Sequence, residues 1–257
     1  MKTTALFICA VLIGSSAAVA NELASDPAAP AYDENWITEP GRTDVLLIET
    51  TETAIGSILG DLGVAHDLYT GDDFSTIDLS PYVHVIVAMD GGAIEEGSIA
   101  NVAAFASGGG LLHFIGGTAW QPFAVAVNSH LVANEIDDYY WMISTIPHVT
   151  LTDPDHCLSV GLPGSYNFTD PSAAYYMIRV TDGAIDQAAE NGDGYPLLFS
   201  KSVGSGWFDW CINSPYSLYW VDAGDYGWLL QVVTNMLQEM PSPVGETTWG
   251  RIKGLYR

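Results

Sequence analysis

The acidic side chains at the ends of apolar runs are the residues of this chain best placed to do chemistry. Asp90 closes the run VHVIVAMD and precedes Gly91 and Gly92, while Glu49 and Glu52 flank the end of the run VLLIE. Two carboxyl groups at a set separation are what acid and base catalysis of glycoside hydrolysis requires, so Asp90 and Glu52 form one candidate catalytic pair. Such residues also cap helices and line solvated turns, and with 31 acids in the chain chance placement is easy. The stretch GGGLLHFIGGTAW, residues 108–120, sets an apolar run between two glycine clusters. Glycine lets a backbone approach a ligand closely. Gly91, Gly92, Gly116, Gly117 and Thr118 therefore join Asp90 as a candidate binding set, with Asp90 for polar recognition and Trp120 as a stacking platform.

A nucleophile is harder to find. Thr118 lies near the glycine turn, and His113 is inside the apolar run, where an imidazole more often packs or hydrogen-bonds than acts as a base. Cys157 adjoins His156, but neighbours in an extended segment point to opposite faces, so adjacency does not make a dyad. Ser165 and Ser205 sit in ordinary turn contexts. No metal site or cofactor is expected: neither cysteine has C-x-x-C or paired-histidine spacing. The clusters TDPDHC and ENGDGYP lack the twelve-residue calcium-loop pattern and fit Asx turns better.

These residues need elements to position them. DVLLIET, from Asp44, is a buried strand of parallel-sheet type, and TETAIGSILGDLG is a helix stopped at Gly63. AHDLY, VHVIVAMDGG and LLHFIGG supply three more strands, with the helix EEGSIANVAAFAS between the last two. Alternating strands and helices predict an α/β fold with a doubly wound, mainly parallel, flavodoxin-like sheet, its ligand site at the C-terminal strand ends. The second half is richer in β signals: YYWMISTI, HVTLTD, AAYYMIRV and a hairpin in YPLLFSKSVGSGWFDWCIN turning at residues 204–206. GDYGWLLQVVTNMLQEM is a closing helix.

The ends and the charge set the context. Residues 1–20, with Lys2, an apolar run and Ala18-Val19-Ala20, form a secretory signal peptide cleaved after Ala20. The apolar run is too short to span a bilayer, and no later segment is long and apolar enough. The expectation is an exported protein, periplasmic or extracellular. Residues 21–42 make a flexible leader, residues 43–240 the α/β domain, and residues 241–257 a linker and a tail. Six basic residues remain against 31 acids once Lys2 is removed, and such a surface repels nucleic acid and anionic lipid. Three of the six lie in ETTWGRIKGLYR, residues 246–257; residues 245–257 either dock on the acidic body or act as a sorting signal for an envelope partner. Cys157 and Cys211, an even pair in an exported chain, are a candidate disulfide. The sequon Asn167-Phe168-Thr169 matters only in a host that glycosylates.

The order VLLIET, VHVIVAMDGG, GGGLLHFIGGTAW, DPDHCLSVGLPGSYNF, then a hairpin and LLQVVTNML resembles the class I glutamine amidotransferase-like superfamily, particularly its trehalose-utilisation-type, ThuA-like branch, over residues 43–240. Catalytic members place a cysteine in a strained G-x-C-x-G turn, with a histidine and a glutamate later in the chain. Gly116 falls on that cysteine position, no histidine follows His156, and no H-x-E pairing occurs. The resemblance thus implies the fold and argues against amidotransfer. It leaves three readings: a non-catalytic binding module for a small molecule or glycan, a secreted glycan hydrolase using Asp90 and Glu52, or an envelope component recruited through its tail.

Overall fold

The computed structural model describes residues 41, 43–118, 120–136, 148–170 and 178–238. Among the described residues the order begins β1 (Val45–Glu49), α1 (Ile55–Asp61), β2 (Asp67–Thr70), β3 (His84–Asp90), α2 (Glu96–Ser107) and β4 (Leu111–Gly117), as expected from their periodicity. Then come α3 (Gln121–His130), β5 (Asn134–Ile136), β6 (His148–Leu151), β7 (Ser165–Asn167), β8 (Ile178–Val180), β9 (Asp186–Asn191), β10 (Pro196–Val203), β11 (Gly206–Cys211) and α4 (Ala223–Gln238). The predicted strand YYWMISTI lies outside the described residues, as do most of AAYYMIRV and all of residues 241–257.

Among the described residues nine strands join in one sheet in the order β2-β1-β3-β4-β11-β10-β9-β6-β7, and β5 pairs with β8 separately. From β2 to β11 the pairing is parallel; from β11 through β10, β9 and β6 to β7 it is antiparallel. The sheet is therefore mixed, which corrects the expectation of a mainly parallel one. The physical reason is the hairpin: β10 and β11 meet through a tight turn that forces antiparallel pairing, and β11 then docks parallel on β4.

Register shows which face each side chain takes. Leu47, Ile86, His113, Asp209, Ser200 and Asp186 follow one another across six strands on one face. Gly56 of α1 lies against Leu47 on that face, and α4 packs beside α1. The opposite face carries Phe114, Phe208, Trp210 and Phe199, with Phe123 of α3 against Phe114 and Trp210; α2 packs beside α3. Helices cover both faces, so double winding holds over the parallel half.

α3 was not evident from periodicity. Pro122 sits in its first turn, where its missing N–H costs nothing. β9, DQAAEN, has weak strand propensity and exists because it lies between β10 and β6.

Candidate functional site

The chain leaves β1 for a helix on one face and leaves β3 for a helix on the other. The gap between the ends of these adjacent strands is a topological switch point, where open α/β sheets bind ligands. Glu49 ends β1 and Asp90 ends β3. Both are partly buried, and burial raises both carboxyls above their ordinary range. The Ser214 hydroxyl donates to Asp90 Oδ1 at 2.7 Å and partly opposes the shift. At Glu49, a hydrogen bond from the Thr53 hydroxyl and one from the Gly56 backbone do the same. Glu52 is exposed and accepts from Ser217 Oγ at 3.3 Å. The carboxylate deep in the crevice beside β3 is thus Glu49, which in sequence was only a flank of the proposed Asp90 and Glu52 pair.

Residues 213–217, after β11, lie over this end of the sheet. Pro215 O accepts the N–H of Ala54 at 2.8 Å, Thr53 and Tyr216 form a β-bridge, and Ser214 O accepts the Trp220 indole N–H at 2.8 Å. Tyr216 and Tyr219 meet edge to face, 5.2 Å between centroids. Burial raises the Tyr219 phenol, and the negative fields of Asp90 and Asp170 add to the shift. Tyr219 also lines an open groove of about 530 Å³, with Thr169, Asp170, Val221 and Asp222. Sequence reading missed this aromatic pair because SPYSLYW has no helical or strand period of its own.

The glycine turns have different jobs. Gly91 and Gly92 both have positive φ, +87° and +98°. Gly91 N–H donates to Gly117 O at 3.0 Å, Thr118 Oγ1 donates to Gly92 O at 2.9 Å, and Asp72 Oδ2 accepts the next N–H, from Ala93, at 3.0 Å. The turn is a clamped joint between β2, β3 and β4. Gly116 has φ +88°, and a Cβ there would lie 1.9 Å from Met89 O and 2.5 Å from Pro215 Cδ. Its carbonyl accepts the buried Trp210 indole N–H at 2.7 Å. No side chain of any kind fits at this position. Trp120 precedes α3, its N–H donating to Thr118 Oγ1 at 3.2 Å.

The remaining sequence candidates lie elsewhere. Cys157 and Cys211 do not form the expected disulfide. Cys211 is enclosed in the sheet, its thiol pushed up to about 12 by burial, while Cys157 occupies a partly exposed 3-10 turn beside His156. His156 Nδ1 accepts the Leu158 N–H at 3.0 Å, so the neutral ring carries its proton on Nε2, 3.0 Å from Ser200 Oγ. A ring that donates to Ser200 does not act as its base. Asp153 Oδ1 accepts from the N–H of Asp155, and Asn191 Oδ1 from those of Asp193 and Tyr195, so both suspected cation clusters are Asx turns. Among the described residues no group of three His, Cys, Asp or Glu side chains is placed to hold a metal.

No family model matches the sequence, and no curated protein does. Solved structures do share the fold. A cytoplasmic protein of Salmonella typhimurium aligns with a TM-score of 0.56 at 13% identity, over 76% of this chain and 98% of that one. A ThuA-like protein of Bacteroides uniformis aligns at 0.52 and 12%, over 82% of this chain and 97% of that one. A β-galactosidase of Bacillus circulans sp. alkalophilus aligns at 0.53 and 15%, over 76% of this chain. Against that enzyme the chain spans only 31% of its length. At these identities the likeness establishes the fold alone: an α/β fold shared with ThuA-like proteins.

Proposed function

We propose that this chain is an exported, non-catalytic ThuA-like domain that binds a polar small molecule, a carbohydrate being the best chemical match, at the crevice between β1 and β3. The observation that carries this reading is Gly116. In the sequence resemblance this position falls where the family keeps its nucleophile, and a Cβ there would penetrate the Met89 carbonyl. The remaining groups suit a hydroxylated ligand. Carboxylates at Asp90 and Glu49 accept hydroxyl hydrogen bonds, and Tyr216 and Tyr219 offer ring faces. Among the described residues beyond β1 the lysine and arginine side chains are Arg179, at β8, and Lys201, which faces away from the crevice with Phe208.

Thermal unfolding of the protein against mono- and oligosaccharides, calcium and zinc tests the proposal, because a ligand of the native state raises stability by linkage. A saturable shift with one sugar, weakened by Asp90→Asn, supports it. A flat response to every sugar counts against it and moves weight to residues 245–257 as a contact for an envelope partner.

A second reading has its own support. Two half-buried carboxyls with raised proton affinity at one crevice are the makings of an acid and base pair, and one structural neighbour cleaves a glycan bond, by its name. In this reading the pair is Asp90 with Glu49 rather than Glu52. Turnover of any glycan by the wild type, abolished in Asp90→Asn, would favour it.

A further inference from the structure

A chain of polar side chains crosses the sheet face on the side of α1 and α4, away from the C-terminal strand ends that carry Glu49 and Asp90. Asp209 and His113 are completely buried, with Asp209 Oδ2 2.9 Å from His113 Nδ1. His113 Nε2 lies 3.0 Å from Nδ1 of the partly buried His84, the ring planes within 18° of each other. The Trp207 indole donates to Asp209 Oδ1 at 3.0 Å. Each link of such a chain needs one hydrogen, and counting hydrogens limits the charge. With Asp209 ionised and both rings neutral, each link is made but a net negative charge is left in the core, which is costly. With one added proton, shared among Asp209, His113 and His84, each link is still made and the chain is neutral. A second added proton sets two N–H groups against each other and breaks a link.

Other charged groups do not alter this count. His156, at the start of the 3-10 turn between β6 and β7, is the basic group that acts on Asp209 and lowers its carboxyl somewhat against burial, and its own nitrogens face Leu158 N–H, Ser200 and Asp186. On α4, the Asp225 carboxylate is taken by the Tyr166 hydroxyl and the backbone of Thr169 and Asp170. On α1, Asp61 accepts from the Tyr226 hydroxyl. Glu49 and Asp90 stand at the other ends of their strands. Burial holds both rings down at about 3 and the Asp209 carboxyl well above its ordinary range, in agreement with the count.

We propose that the His84, His113 and Asp209 chain holds one shared proton throughout the neutral range, making this fold a device that is tightest near about pH 6.5 and loosens when its surroundings acidify below that. In the unfolded chain the two histidines titrate near 6.5 and the aspartate near 3.9. Below about pH 6.5 the unfolded state therefore binds nearly two protons against one in the fold, and stability falls with falling pH. Above it the unfolded state binds almost none, and this contribution falls with rising pH.

Denaturant unfolding of the full chain and of Asp209→Asn between pH 5.5 and 8 tests the count. The variant's cluster carries no added proton when folded. The ratio of wild-type to variant folding constants should then fall about tenfold for each unit rise in pH; a pH-independent ratio overturns the proposal. Should the variant not fold, NMR of the wild type at pH 7.5 decides. A protonated Asp209 carboxyl or one imidazolium in the cluster supports the proposal, and an ionised carboxylate beside two neutral rings refutes it.

Discussion

Two aspartates of this sheet leave solvent in different ways. Asp209, in mid-strand, is fully enclosed and bonded to His113 and Trp207. Asp90, at a strand end, stays partly exposed and takes a hydrogen bond from Ser214 on a loop. Burial raises both carboxyls, so a perturbed carboxyl does not by itself mark a functional site. What separates them is access: a ligand can reach the rim of the crevice, but reaching Asp209 requires the fold to open.

The contrast can be broken most forcefully at its shared support. Trp210 fills the opposite face and donates to Gly116 O, so Trp210→Ala should cost about 3–5 kcal/mol in denaturant unfolding and loosen both regions together. Gly116→Cys, which would restore a thiol at the turn, should destabilise by about 2–4 kcal/mol through its clash and positive φ. A fully stable Gly116→Cys protein would contradict the geometry of the turn. Asp90→Asn should change stability by less than about 1 kcal/mol while weakening sugar binding about tenfold or more, measured by calorimetry.

The smallest effect belongs to Glu49. Its raised carboxyl means that the fold holds this proton more tightly than the unfolded chain. The stability it contributes is present at low pH and lost as pH rises through the folded value. Glu49→Gln should therefore raise the melting temperature by no more than about 2 °C at pH 7, with the difference vanishing near pH 3.5. A variant that melts lower at neutral pH would show that the Thr53 and Gly56 hydrogen bonds outweigh burial.

The parallel half of the fold was legible because β1, β3 and β4 are continuous apolar runs broken by acidic or glycine turns. β9 was not, since nothing in DQAAEN favours a strand apart from the neighbours that flank it. Asp90 could be placed at a strand end from its run alone. Glu49 and Glu52 could not be ranked, because their burial depends on residues 213–217, over 160 positions later. The buried chain did leave a trace: His84, His113 and Asp209 each fall within an otherwise largely apolar run. Register was needed to show that they share a face.

The most direct test of the central claim is calorimetric titration of wild type and Asp90→Asn with the sugar giving the largest thermal shift. Saturable binding by the wild type, weakened about tenfold or more in the variant without turnover of the sugar, is the predicted result. Equal binding by both proteins, or no binding of any sugar, would contradict the assignment of the crevice between β1 and β3 as a carbohydrate site.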